Sequence, residues 1–396
     1  MNFKFSERIS TLQPSAIREI LKVTQDPTVI SFAAGNPAPE SFPAAEMASI
    51  AAEIFANNAA SALQYGVTEG YGPLKELTAK RMKEKYNVGR SFDDIIITSG
   101  GQQAIEMLTK SLVNEGDVIL CEMPSFIGAL NAFRSYNARL IGIPMDHDGM
   151  DMEVLERTLQ TTQNVKFIYT IPTFQNPSGH VMSLERRKKL LELAQKYNVL
   201  ILEDSPYFEL RFAGEYIPPI KSMDETGCVL FSGSYSKVLA PGIRIGFAIA
   251  PKELISKLTV AKQVSDVHTN LFFQMIAAEY LKRYDLDAHI AKICNLYRTR
   301  AELMCDRIDE KFGGKVQYVR PTGGLFLWCS LPEGYDSMDF CRKTGEKKVV
   351  AVPGSSFSID EREITPSFRM NYSLPSEEQI CKGIDLMAEV LHDYVK

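Results

Sequence analysis

Val199-Leu200-Ile201-Leu202-Glu203-Asp204-Ser205-Pro206-Tyr207 opens as an unbroken apolar run and closes on a carboxylate, a proline and a tyrosine. A strand with no polar alternation is covered on both faces, which is the condition of a strand inside a parallel sheet. The residues at its end then lie at the carboxyl edge, where open α/β sheets bind ligands. Similar short, β-branched runs stand on either side, at Ile95-Ile96-Ile97-Thr98, Val118-Ile119-Leu120, Leu140-Ile141-Gly142-Ile143, Phe167-Ile168-Tyr169 and Ile243–Ile249, with helical patterns between them. This alternation predicts an α/β fold, a mostly parallel central sheet with helices on both faces. One helix is bounded by its ends: Ser183 reads as the N-cap, Glu185 lies in the first turn and Asn198 follows the last. After about residue 280 long helical segments give way to separated strands around Gly323–Cys329 and Phe368–Tyr372, the texture of a smaller second α/β domain. The expected division is a large domain over 48–285 and a small one built from 1–47 and 286–396.

A chain of 396 residues exceeds the usual size of one compact domain, and 45% hydrophobic with 23% charged residues is the balance of a globular enzyme. The net charge of -5 argues against nucleic-acid binding, which needs a basic face to displace counterions from phosphates. The basic cluster Arg186-Arg187-Lys188-Lys189 reads as part of an amphipathic helix with Leu190, Leu191, Ala194 and Tyr197. Seven scattered cysteines with no CxxC and no nearby histidine pair favour neither a zinc site nor a disulfide framework. With no apolar run of signal-peptide or membrane-spanning length, a reducing cytoplasmic location is expected, with no metal and no membrane partner.

Chemistry concentrates at strand ends. Ser234-Tyr235-Ser236-Lys237, followed by Pro241-Gly242-Ile243-Arg244, brings two hydroxyls, an amine and a guanidinium within reach of one phosphorylated ligand that carries a carbonyl. A lysine partly desolvated beside fixed cations has a lowered pKa and is free to form an imine. Asp204 at its strand end suits a protonated ring nitrogen, and Tyr207 a ring oxygen; taken alone, Asp204 reads equally well as a turn cap. Gln175-Asn176-Pro177-Ser178-Gly179 opens onto the same edge, where Asn176 suits the ring oxygen or a substrate carboxylate, although Asn-Pro is more often only a turn. Ser99-Gly100-Gly101-Gln102-Gln103-Ala104 joins a strand to a helix and aims free N–H groups at an anion. It matches neither GxGxxG nor GxxxxGK[ST], which disfavours dinucleotides and nucleoside triphosphates. Phe126 suits stacking on a planar ring, with a core aromatic as the plain alternative.

Taken together, Ser99 to Ala104, Asn176-Pro177-Ser178-Gly179, Asp204-Ser205-Pro206-Tyr207, Ser234-Tyr235-Ser236-Lys237 and Arg244 resemble, in order and spacing, the fold-type I, class I/II aminotransferases that use pyridoxal phosphate. The resemblance spans nearly the whole chain. Pro14-Ser15-Ala16-Ile17-Arg18, Ile30 to Gly35, Leu63-Gln64-Tyr65-Gly66 and Gly323 to Trp328 are most similar to the kynurenine/2-aminoadipate branch. The resemblance implies Lys237 as the Schiff-base lysine, Asp204 on the pyridine nitrogen, and Asn176 and Tyr207 on the ring oxygen. It also implies Gly101 and Gln102 N–H groups, Ser234, Ser236 and Arg244 on the phosphate, with Phe126 stacked on the ring. Arg369 would clamp the substrate α-carboxylate, with Gly35 beside the substrate. A homodimer is implied, active sites at the subunit interface, Tyr65 reaching the phosphate of the neighbouring subunit. Two departures bear on the substrate: Ala33-Ala34-Gly35 where the branch often has Ala-Gly-Gly, and Phe126 where tyrosine is frequent.

The implied reaction moves an amino group from an amino acid to a 2-oxo acid such as 2-oxoglutarate. A β-lyase built from the same residues is the enzymatic alternative, and a non-catalytic regulator the alternative of another class, disfavoured because Pro14 to Arg18 already belongs to the aminotransferase pattern. The amino donor stays open: Arg18 suits an acidic side chain, whereas Phe326, Leu325 and Tyr65 suit an apolar one.

Overall fold

The computed structural model describes residues 1–10, 12, 26–360 and 362–396. A short strand, β1 (Ile30–Ser31), lies outside the main sheet, which has eight strands: β2 (Asp93–Thr98), β3 (Val118–Met123), β4 (Arg139–Asp146), β5 (Gly149–Met150), β6 (Val165–Thr170), β7 (Leu200–Asp204), β8 (Val229–Ser234) and β9 (Gly246–Pro251). The spatial order is β2-β9-β8-β7-β6-β3-β4-β5. Strands β4, β3, β6, β7 and β8 run parallel; β9 is antiparallel to both β8 and β2, so β2 points the same way as the parallel set. Strand β2 and the parallel set therefore all end at one edge.

The apolar runs form the centre of this sheet because they can be buried on both sides. Alternate residues divide between two cores: Val118, Leu120, Ile168 and Ile201 pack with Leu155 and Leu190 on one face, while Ile119, Phe167, Tyr169 and Leu202 pack with Ile105 and Leu108 on the other. The helix ends expected from sequence are present: Leu184–Tyr197 is capped by the Ser183 side chain, which accepts from the Arg186 N–H, and stops at Asn198 in the left-handed region. The last strand differs from its expected extent. Pro241–Ile243 forms a 3-10 turn and Arg244 has φ 54°, so β9 begins only at Gly246 and the arginine sits in the connection rather than in a ladder.

A second, antiparallel sheet of four strands is formed by β10 (Gln317–Tyr318), β11 (Phe326–Ser330), β13 (Val352–Pro353) and β14 (Ser367–Asn371), in the order β10-β11-β14-β13. Helices Leu286–Lys311, Ser337–Glu346 and Glu377–Tyr394 belong to this part of the chain, and Leu286–Lys311 packs on Glu377–Tyr394. The early segment is tied here too: the strand Val349–Val350, β12, pairs in parallel with β1, Ile30 opposite Val349.

Of the four consecutive basic residues, Arg187 has a structural task. It is fully buried, and its guanidinium donates to the carbonyls of Met182 (3.0 Å), Pro218 (3.0 Å) and Pro172 (2.7 Å) and to Thr173 Oγ1 (2.8 Å). It thereby fixes the chain between β6 and Asn176. Each buried acceptor left without a donor costs about 1–3 kcal/mol, so Arg187→Met should lower the stability of the apo-protein by about 3 kcal/mol or more. Arg186, one quarter exposed and paired with Asp146 at 2.6 Å, should lose no more than about 1 kcal/mol on replacement by alanine. Urea titrations of both variants check the contrast; equal midpoints would show that the buried fan of bonds carries no special stability.

Candidate active site

The carboxyl ends of β2, β3, β6, β7 and β8, with β14 of the second sheet, enclose a cavity of about 260 Å³. Its wall includes Gly35, Gly101, Gln102, Phe126, Asn176, Asp204, Tyr207, Ser234, Ser236, Lys237, Arg244 and Arg369. Of the described residues singled out from sequence for the site, Tyr65 and Leu325 do not line the cavity. Tyr65 is 81% exposed, its ring edge-on to His268 at 5.8 Å, on the surface of this chain rather than in its own cavity. Arg18 lies outside the described residues. Leu325 is fully buried and does not line the cavity, so of the three apolar side chains weighed for substrate contact it is Phe326 that reaches it.

Asp204 is brought to the site by the innermost strand, where Ser232 of β8 stands opposite it. Tyr169 donates its hydroxyl to Asp204 Oδ2 at 3.0 Å. No cation pairs with this carboxylate among the described residues, and burial, opposed by the Tyr169 bond, pushes its pKa up to about 7. Lys237 closes the 3-10 turn Tyr235–Lys237 after β8 and donates from Nζ to the Gly35 carbonyl at 2.7 Å. Burial first, then the guanidiniums of Arg369 and Arg244, bring its pKa down to about 8. Arg369 comes from β14 and is 2% exposed. Its Nη1 donates to Asn176 Oδ1 at 2.7 Å and its Nη2 to the Ala33 carbonyl at 2.8 Å, Nε has no partner, and it stands 4.1 Å over the Phe326 ring. Burial lowers this guanidinium to about 10.

At the other end of the cavity the helix Gly101–Leu112 begins without a side-chain cap, its N-cap being Gly100, which leaves the first N–H groups at the cavity wall. Arg244 donates to the Ser99 carbonyl at 3.0 Å and to Ser236 Oγ at 3.4 Å; Ser234 Oγ accepts from the Ser236 N–H at 3.1 Å. The close approach of arginine and turn requires Gly100: φ is 80°, and a Cβ there would lie 2.3 Å from Arg244 Nη2. Phe126 lies over Gly128, whose missing side chain leaves room for the ring, and Gln102 Nε2 holds the Gly128 carbonyl at 2.8 Å.

Three supporting residues were not singled out from sequence. Tyr169 is a hydroxyl beside the apolar Phe167 and Ile168 of a central strand, facing the next strand's carboxylate. Glu122, one residue before the end of β3, is buried; it accepts from the Ile171 N–H at 3.1 Å and Gln175 Nε2 at 3.2 Å, and Gln175 Oε1 accepts from the Ser178 N–H at 2.8 Å. Together Glu122 and Gln175 set the loop that carries Asn176. Reading every carboxylate at the end of an apolar run as Asp204 was read would have found Glu122.

The cavity thus offers N–H groups and a guanidinium that suit an anion, an amine of lowered pKa and, unpaired with an opposite charge among the described residues, a buried carboxylate and a buried arginine. Residues 27–385 match the family model described as aminotransferase class I and II. The chain is 43% identical, over 99% of its length and 95% of the other's, to aromatic-amino-acid aminotransferase 1 of Thermococcus litoralis. The crystal structure of Pyrococcus horikoshii kynurenine aminotransferase, in complex with pyridoxamine phosphate, is similar with a TM-score of 0.95 at 38% identity, covering 99% of this chain and 98% of that one. That of the α-aminoadipate aminotransferase of Thermus thermophilus, complexed with N-(5'-phosphopyridoxyl)-L-leucine, gives 0.90 at 34% identity, with coverage of 99% and 98%. Fold, site and relatives agree: the chain belongs to the class I and II aminotransferases, and it is a fold-type I, pyridoxal-phosphate-dependent transaminase.

Proposed function

We propose that the chain transfers the amino group of aromatic and other large amino acids to 2-oxoglutarate, as a homodimer, with Lys237 as the catalytic amine. The single observation that carries the reading is the pairing of deficits in one cavity: among the described residues, Asp204 is buried without a cation and Arg369 without a carboxylate. Pyridoxal phosphate fits these residues. Its phosphate suits Ser234, Ser236, Arg244 and the N–H groups of Gly101 and Gln102; its ring suits Phe126 on one face, Asp204 at the nitrogen, and Asn176 and Tyr207 at the oxygen. The Phe326 ring, edge-on to Tyr207 at 5.6 Å, favours large apolar side chains, and the aromatic and kynurenine specificities named for the relatives point the same way. Exposed Leu63, Tyr65, Val67, Val264 and Val267 favour an apolar subunit contact, to which Tyr65 would contribute its reach towards the neighbour's phosphate. No described helix is long and apolar enough to cross a membrane, and all seven cysteines are free; we assign a cytoplasmic location. The division into a large unit, 48–285, and a small one, 1–47 with 286–396, is part of the same proposal.

When bound, the cofactor supplies an electron sink for the negative charge left at the substrate α-carbon. The protein's own part is positional and acid–base. Arg369 receives the substrate carboxylate with forked donors already aimed by Asn176 and Ala33. Lys237 Nζ, which here donates to the Gly35 carbonyl, is the amine that would hold the cofactor; once a substrate amine has displaced it, it would take the α-proton and hand it back within the same site. Asp204 keeps the ring nitrogen protonated, since a cation there removes the penalty that pushes its carboxyl up. Phe126, Phe326 and Tyr207 exclude water and so strengthen each of these charge interactions.

A donor screen against 2-oxoglutarate tests the reading. Phenylalanine, tyrosine and kynurenine should show kcat/KM about tenfold or more above alanine, a difference that a few buried methylene-sized contacts supply. Arg369→Lys should lower kcat/KM for all donors alike by about two orders of magnitude, because one ammonium cannot reproduce two parallel bonds. A selective loss, or alanine as the preferred donor, would contradict the assignment.

The pH dependence follows from Lys237. Its folded pKa lies near 8, below the ordinary 10.5, so the ammonium predominates below 8 and the nucleophilic amine above it. Capture of pyridoxal phosphate by the apo-protein should accelerate about tenfold per pH unit up to 8 and then level off. Arg369→Gln removes a cation that disfavours the ammonium and should move the inflection upwards. Continued acceleration towards pH 10 in the wild-type protein would show that Lys237 is not perturbed.

A further inference from the structure

The turn Ser99-Gly100-Gly101-Gln102 is held from behind by a buried lysine that touches neither the cavity nor any residue with a chemical task. Lys262 lies in the last turn of the helix Lys252–Gln263, and its side chain has no exposed surface. Its Nζ donates to Gln103 Oε1 at 2.5 Å, to both oxygens of Asp266 at 2.9 Å and to Thr269 Oγ1 at 2.9 Å. Gln103 Oε1 also accepts the Ser99 N–H at 2.8 Å, and Gln103 Nε2 donates to Asp266 Oδ2 at 2.7 Å. Ser99 Oγ donates to the same carboxylate oxygen at 2.8 Å, while the Ser99 carbonyl accepts Arg244 Nη2 at 3.0 Å. An unbroken chain of hydrogen bonds therefore runs from Lys262 and Asp266, through Gln103 and Ser99, to the donors of the anion end of the cavity.

The segment that carries Asp266 is itself constrained. The Lys262 carbonyl gathers the N–H groups of Ser265 (2.9 Å), Asp266 (3.0 Å) and Val267 (3.2 Å), which folds the chain back so that the Asp266 carboxylate meets the lysine four residues earlier. Val267 is left at φ 67°, a left-handed conformation that a β-branched residue adopts only under strain. Strain of this kind persists where the surroundings over-determine it. The same segment exposes Val264 at 71% and Val267 at 49%, and His268 meets the exposed Tyr65 ring edge-on.

We propose that Lys262 and Asp266 are positioning residues that lock the Ser99–Gln102 turn and Arg244 in the geometry that receives a phosphate monoester, and that tie this geometry to the surface segment Val264–His268. The inference rests on the assignment of that turn and Arg244 to the cofactor phosphate. A pre-formed set of donors binds more tightly because its ordering is complete before the ligand arrives. The buried ammonium serves this better than an apolar side chain would, since it takes acceptors from three separate residues and fixes each in place.

Titration of the apo-protein with pyridoxal phosphate, followed by cofactor absorbance, tests the proposal beside steady-state activity and the melting temperature of the apo-protein. Asp266→Asn leaves the buried ammonium without its counter-charge and should raise the dissociation constant about tenfold to a hundredfold, the range for groups that orient the direct ligands of a bound species. At saturating cofactor its kcat should stay within about threefold of wild type, because the reacting atoms are untouched. The double variant Lys262→Met/Asp266→Asn removes both charges and should return the melting temperature towards wild type, while cofactor affinity stays low because Gln103 and Ser99 remain unlatched. A dissociation constant that is unchanged in both variants, or that recovers in step with the melting temperature, overturns the proposal. Arg244→Ala separates the two levels: full affinity in that variant overturns the phosphate assignment and the latch together, whereas weakened binding there with unchanged binding in Asp266→Asn overturns the latch alone.

Discussion

Asp204 ends the innermost strand of the main sheet at 4% exposure, hydrogen-bonded by Tyr169 and without a paired cation among the described residues. An ionised carboxylate in such a place costs several kcal/mol relative to water unless a cation compensates it. Under the proposed function that compensation comes from the cofactor's ring nitrogen. The same reasoning applies to Arg369, buried on aromatic rings with amide and carbonyl acceptors but no anion among the described residues. Two opposite charges buried in one cavity without pairing each other suit a ligand with a cationic ring and a partner that bears a carboxylate, which is what the proposed function supplies.

The scaffold makes this possible by topology. Because β9 runs against both β8 and β2, the ends of β2, β3, β6, β7 and β8 lie on one edge, where the turn that carries Lys237 follows β8. Arg369 has to come from elsewhere, and it does, from the centre of the second sheet. Three cations then face one cavity with one carboxylate. Their mutual repulsion is relieved when the lysine gives up its proton, which links the electrostatics that attract a phosphate and a substrate carboxylate to the reactivity of the amine.

Much of this was legible in the residues. Unbroken apolar runs announced strands covered on both faces, and the chemistry at their ends announced the edge at which the cavity lies. Ser183 and Asn198 marked a helix because their side chains and backbone preferences act locally. What escaped reading depends on contacts between distant segments. Tyr169 meets Asp204 across two strands, Glu122 and Gln175 meet across about fifty residues, and the lysine that holds the Ser99 turn is more than one hundred and fifty residues away from it. Arg187 looked like one cation of four on a helix surface, yet the carbonyls it binds come from two separate connections, one after β6 and one after β7. Arg244 sits in an apolar pattern that continues into β9, but the proline and glycine before it form a turn and leave it in the left-handed region, where its guanidinium reaches Ser99.

Borohydride reduction of the cofactor-loaded protein, followed by peptide mass spectrometry, tests most directly whether this cavity is where the chemistry occurs. The expected result is a stable phosphopyridoxyl group on Lys237 alone, close to one per chain, and its loss when an amino donor is added before reduction. A label on any other lysine, or a label on Lys237 that persists undiminished in the presence of a good amino donor, would contradict it.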